Sequence, residues 1–158
     1  MQHNETLKEV ALQRKSLTKL LGDESEKLGR FFGTLNLLAH RALPKNDFGI
    51  FNASQSLDFA PGGLAAEVLK KAQEIGLISL NAYGDEITFT NEDSAKYFGG
   101  QWLEEYVASK LQGIQPFDYA TGLVIQKNGT EIANECDAVV VHNNRFLLIE
   151  CKTLKFGF

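Results

Sequence analysis

The sequence predicts a mixed α/β (α+β) protein that is helical at first and closes on one helix followed by three antiparallel strands. Three observations carry this expectation. Apolar residues recur at helical spacing through much of the chain up to Gln112. Two β-branched runs, Ala138 to Val141 and Phe146 to Ile149, flank the polar break His142-Asn143-Asn144-Arg145. Asn128-Gly129, a strong hairpin turn, separates another strand from them.

Taken in order, Leu7, Val10, Ala11, Leu17 and Leu20 give Glu5 to Leu21 one apolar side, and Gly22-Asp23 interrupts it. Leu28, Phe31, Phe32, Leu35, Leu38 and Ala42 predict a second helix from Ser25 to Leu43, stopped by Pro44. Asp47 to Phe51 is expected as a short strand, and Pro61-Gly62-Gly63 as a break. A third helix spans Gly63 to Ile75 and is capped by Gly76. Leu77 to Leu80 and Glu86 to Thr90 read as a hairpin through Tyr83-Gly84-Asp85, and Asn91 opens a short helix to Phe98. Gly99-Gly100 then divides residues 1–98 from residues 99–158. The second part holds a helix from Gln101 to Gln112, a strand from Asp118 to Gln126, and the hairpin.

The order of helices and a small hairpin in the first part resembles a winged-helix domain. Its candidate wing, NAYGDE, carries two acids and no Lys or Arg, which favours a structural or interaction role over groove recognition. Composition narrows the rest. The 158 residues are 44% hydrophobic and 23% charged, enough for a real core. No apolar run is long enough to span a membrane and no signal segment opens the chain, so the expected location is the cytoplasm. Two cysteines in apolar strands predict reduced thiols rather than a zinc site or disulfide framework. The net charge of −4 is uneven: residues 1–43 hold seven Lys/Arg against five Asp/Glu, and residues 44–158 nine against fifteen.

The acidic excess includes the hairpin stretch NECDAVVVHNNRFLLIECKT, residues 134–153. With Asn143 and Asn144 at the turn, His142 faces Arg145, Asp137 faces Glu150 and Glu135 faces Lys152. Period-two alternation then puts Glu135, Asp137, Glu150 and Lys152 on one face, with Cys136 and Cys151 on the other. Charges beside an apolar strand pair need partners, a metal or water, and such clusters mark functional sites. The competing interpretation is a pair of surface salt bridges of little energetic weight.

An acidic helix residue, an Asp on one strand and Glu-x-Lys on the next resemble the PD-(D/E)xK nuclease superfamily. The matching residues are Glu104, with Glu105 as the alternative, Asp137, and Glu150-Cys151-Lys152. Over the second half, SAKYFGGQWLEEYVASKL, NECDAVVV and LLIECKT resemble the CARF-linked nucleases of type III CRISPR defence. In that family a sensor domain for cyclic oligoadenylate precedes a winged-helix-like segment and a restriction-endonuclease-like domain. The resemblance implies Glu104, Asp137, Glu150 and Lys152 as the catalytic set, with Glu105, Asn134 and Glu135 in support.

Residue chemistry adds a mechanism. Asp137 and Glu150, with the carbonyl of Cys151, offer hard oxygen ligands for Mg²⁺ or Mn²⁺. The ion would activate a water against a phosphodiester of DNA or RNA, Lys152 would stabilise the added charge, and Glu104 would hold a second ion or water. The expected partner is nucleic acid. The expectation from this sequence is a chain without a sensor domain before residue 1, to which activation by a cyclic oligonucleotide is not carried over. The chain ends six residues after Lys152, so we expect a truncated α-β-β-β core, incomplete at its C-terminus. Its exposed third strand predicts a homodimer. The alternative function is a non-catalytic winged-helix interaction or DNA-binding module with a vestigial nuclease site.

Overall fold

Leu17 and Leu21 stand one helical turn apart and both are fully buried, which gives the first helix, α1 (Gln2–Asp23), its inward side. Glu24 separates it from α2 (Ser25–Ala42), which buries Leu28, Leu35, Leu38, Ala39 and Ala42. Leu43 leaves the helix in an extended conformation, as the residue before Pro44 must. The computed structural model describes residues 2–46, 48–114, 118–126 and 133–153. They fall into two units, Met1–Trp102 with Thr153–Phe158, and Leu103–Lys152.

In the first unit, β1 (Ser54–Ser56), β2 (Ile78–Leu80) and β3 (Glu86–Phe89) form a small antiparallel sheet in the order β1-β3-β2. The helix α3 (Gly63–Glu74) buries Val68, Leu69 and Ala72. Among the described residues 48–51, the strand expected over Asp47 to Phe51 does not form. Asp47 lies outside the described residues, and Phe48 and Ile50 are 94% and 88% exposed. Among the described residues no sheet edge receives that apolar run. The polar triplet Ser54-Gln55-Ser56 pairs with β3 instead, with Gln55 buried and its amide donating to the Asn52 carbonyl at 2.8 Å.

Asn91 caps α4 (Glu92–Lys96), its side-chain oxygen accepting the Ser94 N–H at 2.8 Å. The expected break at Gly99-Gly100 is a kinked π-helical turn (Tyr97–Gln101), with Gly100 at φ 151°. Only glycine takes that angle without strain, so the turn redirects the chain into α5 (Trp102–Ile114). Around it Tyr97 donates to or accepts from Thr18 at 2.9 Å, and Trp102 stacks on Phe32 at 4.7 Å.

The second unit holds the rest of α5 and the strands β4 (Asp118–Gln126), β5 (Ala133–His142) and β6 (Arg145–Ile149), antiparallel in chain order. The β5-β6 register is the expected one, from His142 opposite Arg145 to Ala138 opposite Ile149. Asn143 and Asn144 have φ of 49° and 59°, the pair of positive angles a two-residue hairpin turn of this hand requires. The Asn128-Gly129 turn lies outside the described residues. Leu111, Ala138 and Val140 form the buried centre, with Val107, Tyr119 and Ile149 packed around it. The result is an α+β architecture with two small sheets, and among the described residues no helix is long and apolar enough to cross a membrane.

Candidate active site

Glu104 and Glu105 stand in the first turn of α5, where the helix dipole favours acids. Asp137 lies on β5 just beyond the last β5-β6 rung, and Glu150-Cys151-Lys152 follow β6 directly. At that point the strands stop exchanging backbone hydrogen bonds and Asp137 supplies the next link: its carboxylate oxygen Oδ2 accepts the Cys151 N–H. The pairing of Asp137 with the Glu-x-Lys segment is thus made through a side chain. Lys152 Nζ meets Glu150 Oε1 at 2.7 Å, with both side chains largely exposed. That corrects the expected Glu135 to Lys152 pair. The ladder ends one rung before Glu150, so nothing carries the cross-strand register as far as Lys152, and Glu150 two residues away is the nearer acid.

Four of the expected acids are electrostatically coupled through Glu104. Glu104 is held above the ordinary carboxylate range by partial burial first, then by the charges of Asp137, Glu135 and Glu105. Burial, Asp137 and Glu104 push the Cys151 thiol up to about 11. Lys152 is raised above the usual lysine value by its hydrogen bond to Glu150 and that residue's charge, with a smaller contribution from Asp137. Asn134 is exposed and pairs with Ile125 through its backbone.

A further residue belongs to this geometry. Between the rungs Thr121 to Ala138 and Leu123 to Cys136, Gly122 falls opposite Asp137, and that rung is missing from the ladder. Gly122 has φ 61°, and an added Cβ would sit 3.9 Å from Glu135 Oε1. The break in β4 therefore lies across from the central acid. A lone glycine inside a strand pattern was the signal for it.

As donors for a divalent ion, Asp137, Glu150, Glu104 and the Cys151 carbonyl are all hard oxygens. Their mutual repulsion, seen at Glu104, is what a cation would relieve. The spacing is more open than the chemistry: among the described residues no three His, Cys, Asp or Glu side chains converge on one ion-sized point.

Comparison with known proteins adds independent findings. Residues 91–157 match the model of the Card1-like endonuclease domain. The structure of Can2 from Sulfobacillus thermosulfidooxidans, in complex with cyclic tetra-adenylate, is similar with a TM-score of 0.69 and 25% identity over 89% of this chain. Protein VC1899 from Vibrio cholerae shares the fold with a TM-score of 0.67 and 24% identity over 92% of this chain. The chain spans 36% and 39% of the lengths of those two proteins. Comparison with curated proteins gave no match. The matched part contains Glu104, Asp137 and Glu150-Cys151-Lys152, and over residues 91–157 the chain is similar to the CRISPR-associated, PD-(D/E)xK-type Card1-like endonuclease domain.

Proposed function

We propose that this chain carries the metal-dependent nuclease centre of a CRISPR-linked defence protein and hydrolyses phosphodiester bonds in DNA or RNA. The observation that supports it most is the joining of Asp137 to the Glu-x-Lys segment by the Cys151 N–H, within the part matching the endonuclease domain. On this reading Asp137, Glu150 and the Cys151 carbonyl hold Mg²⁺ or Mn²⁺. A bound ion of this kind polarises the phosphodiester and acidifies water. Lys152, which meets Glu150 at 2.7 Å, would place its ammonium on the charge that develops at phosphorus. Glu104, raised above the ordinary carboxylate range by partial burial and by the charges of Asp137, Glu135 and Glu105, would hold a second ion or an ion-bound water. Glu105, Glu135 and Asn134 surround this set and tune its charge. The first unit serves as a winged-helix-like segment, with Lys70 and Lys71 too few for groove recognition alone. A cytoplasmic location and pairing of two copies through β6 complete the proposal.

The absence of a closed three-ligand point among the described residues favours a second reading, in which the acids are vestigial and the module only binds partners. Calorimetric titration with Mn²⁺ separates the two. The native chain should show a site and Asp137→Asn with Glu150→Gln none, while Lys152→Ala keeps the affinity and loses cleavage of a nucleic-acid substrate. Equal weak binding by the native and doubly substituted chains would remove the metal site.

A further inference from the structure

Asp137 holds a singular place in its own sheet. Every other residue of β5, from Ala133 to His142, has a rung to β4, to β6 or to both, and Asp137 has neither. The two gaps differ in origin. On the β6 side the ladder ends with Ala138 opposite Ile149. On the β4 side it resumes: Thr121 faces Ala138 and Leu123 faces Cys136 in one register, so only the Gly122 rung is lost. A bulge would have inserted a residue and shifted that register by one.

Gly122 accounts for the gap toward β4. Its φ of 61° lies in the left-handed region, far from the angles of a strand, and turns the backbone out of the pleat for one residue. Crowding is not what calls for a glycine there. An added Cβ would meet a single neighbour, Glu135 Oε1 at 3.9 Å, an ordinary contact. Position 122 therefore demands a backbone angle rather than an absent side chain. A regular rung would tie the tilt of Asp137 to the pleat of β4. Without it, the observed anchor of Asp137 is its own carboxylate, which accepts the Cys151 N–H.

We propose that Gly122 is a positioning residue for Asp137: its left-handed backbone withholds the β4 rung, and Asp137 is left to turn its carboxylate onto the Cys151 N–H. Every residue involved belongs to the second unit. The consequence for metal binding rests on the nuclease reading, while the structural half is measured without metal. The experiment uses the full chain with Gly122→Val, Gly122→Ala and Gly122→Asn. β-Branched valine avoids positive φ and should draw residue 122 into the ladder, whereas asparagine tolerates the left-handed angle. Amide exchange by NMR is read at Cys151 and, as a control on the sheet, at Val139 to Val141. Gly122→Val should speed exchange at Cys151 by roughly tenfold, the loss of about one hydrogen bond's constraint, with the control amides unchanged. Gly122→Ala should fall between, and Gly122→Asn should match the native chain. Calorimetric Mn²⁺ affinity should weaken in the same order, by roughly tenfold for Gly122→Val. A folded Gly122→Val with native exchange at Cys151, a rise shared equally by Val139 to Val141, or a Gly122→Asn as perturbed as Gly122→Val overturns the proposal. Failure of both Gly122→Val and Gly122→Ala to fold assigns the glycine to folding alone and overturns it as well. A native chain that binds no Mn²⁺ would end the nuclease reading, and the order of the variants in Cys151 exchange would still decide the positioning role.

Discussion

Cys151 offers a direct measure of the electrostatics at the candidate site, because its thiol is raised from 9.0 to about 11. At pH 8.5 a thiol of pKa 9.0 is about a quarter thiolate, and one near 11 is about 0.3%, so alkylation should be slower by roughly eighty-fold. Cys136 is the chain's other cysteine, and Cys136→Ser leaves Cys151 as the reporter. The assay is the rate of iodoacetamide addition by mass spectrometry from pH 7 to pH 11.5, in native buffer and in urea. Burial slows every rate, so the inflection pH is the decisive quantity. It should lie near 11 in the folded chain and near 9 in urea. Asp137→Asn preserves an acceptor for the Cys151 N–H and removes the largest charge acting on the thiol, so the inflection should move down while staying above 9, since burial is the larger cause. A folded-state inflection at or below pH 9, or one indifferent to Asp137→Asn, would refute the picture of a thiol buried beside clustered acids.

Two further predictions concern stability. Leu111 is 6% exposed at the centre of the second unit and Leu148 is 55% exposed on β6; Leu111→Ala should therefore cost about 3 kcal/mol and Leu148→Ala less than about 1 kcal/mol in urea unfolding followed by amide exchange at Val139 to Val141. Glu104 has a folded-state value raised above its ordinary 4.5, so its contribution is fully present below that value and lost as pH rises through the raised one. Glu104→Gln should flatten this loss, making the variant's thermal midpoint the higher of the two at neutral pH and converging with the native chain at pH 4.

The hairpin was the most legible part of the sequence, for a physical reason: Asn143-Asn144 tolerates positive φ, and a two-residue turn there between two apolar runs fixes one register, which the structure repeats rung for rung to Ala138 and Ile149. Helices α2 and α3 were legible through their buried leucines and the stops at Pro44 and Gly76. Three features were not. Phe48 and Ile50 resemble a strand in residue type, yet strand formation needs a neighbouring edge, and β3 gave that edge to Ser54-Gln55-Ser56. The Lys152 partner depended on where the ladder ends, which alternation alone does not set. The hydrogen bond from Asn36 Nδ2 to Thr153 Oγ1 joins residues 117 positions apart and has no local pattern at all.

The charges of the candidate site point to a coupling between its two proposed ligands. Partial burial first, and then the charges of Asp137, Glu135 and Glu105, hold Glu104 above its ordinary range, while Glu150 and more weakly Asp137 act on Lys152. A phosphodiester brings another negative charge into that field. With the carboxylates uncompensated, the substrate is repelled from the residues proposed to act on it. A divalent cation offsets part of this negative charge, so on the proposed reading metal and nucleic acid each strengthen the other's binding by the same factor. Asp137→Asn separates the charge effects, because it relieves the repulsion while removing a ligand. Substrate affinity without metal should rise in that variant, and the gain on adding Mn²⁺ should shrink. An affinity that Mn²⁺ improves equally in both chains would place the cation's effect away from Asp137.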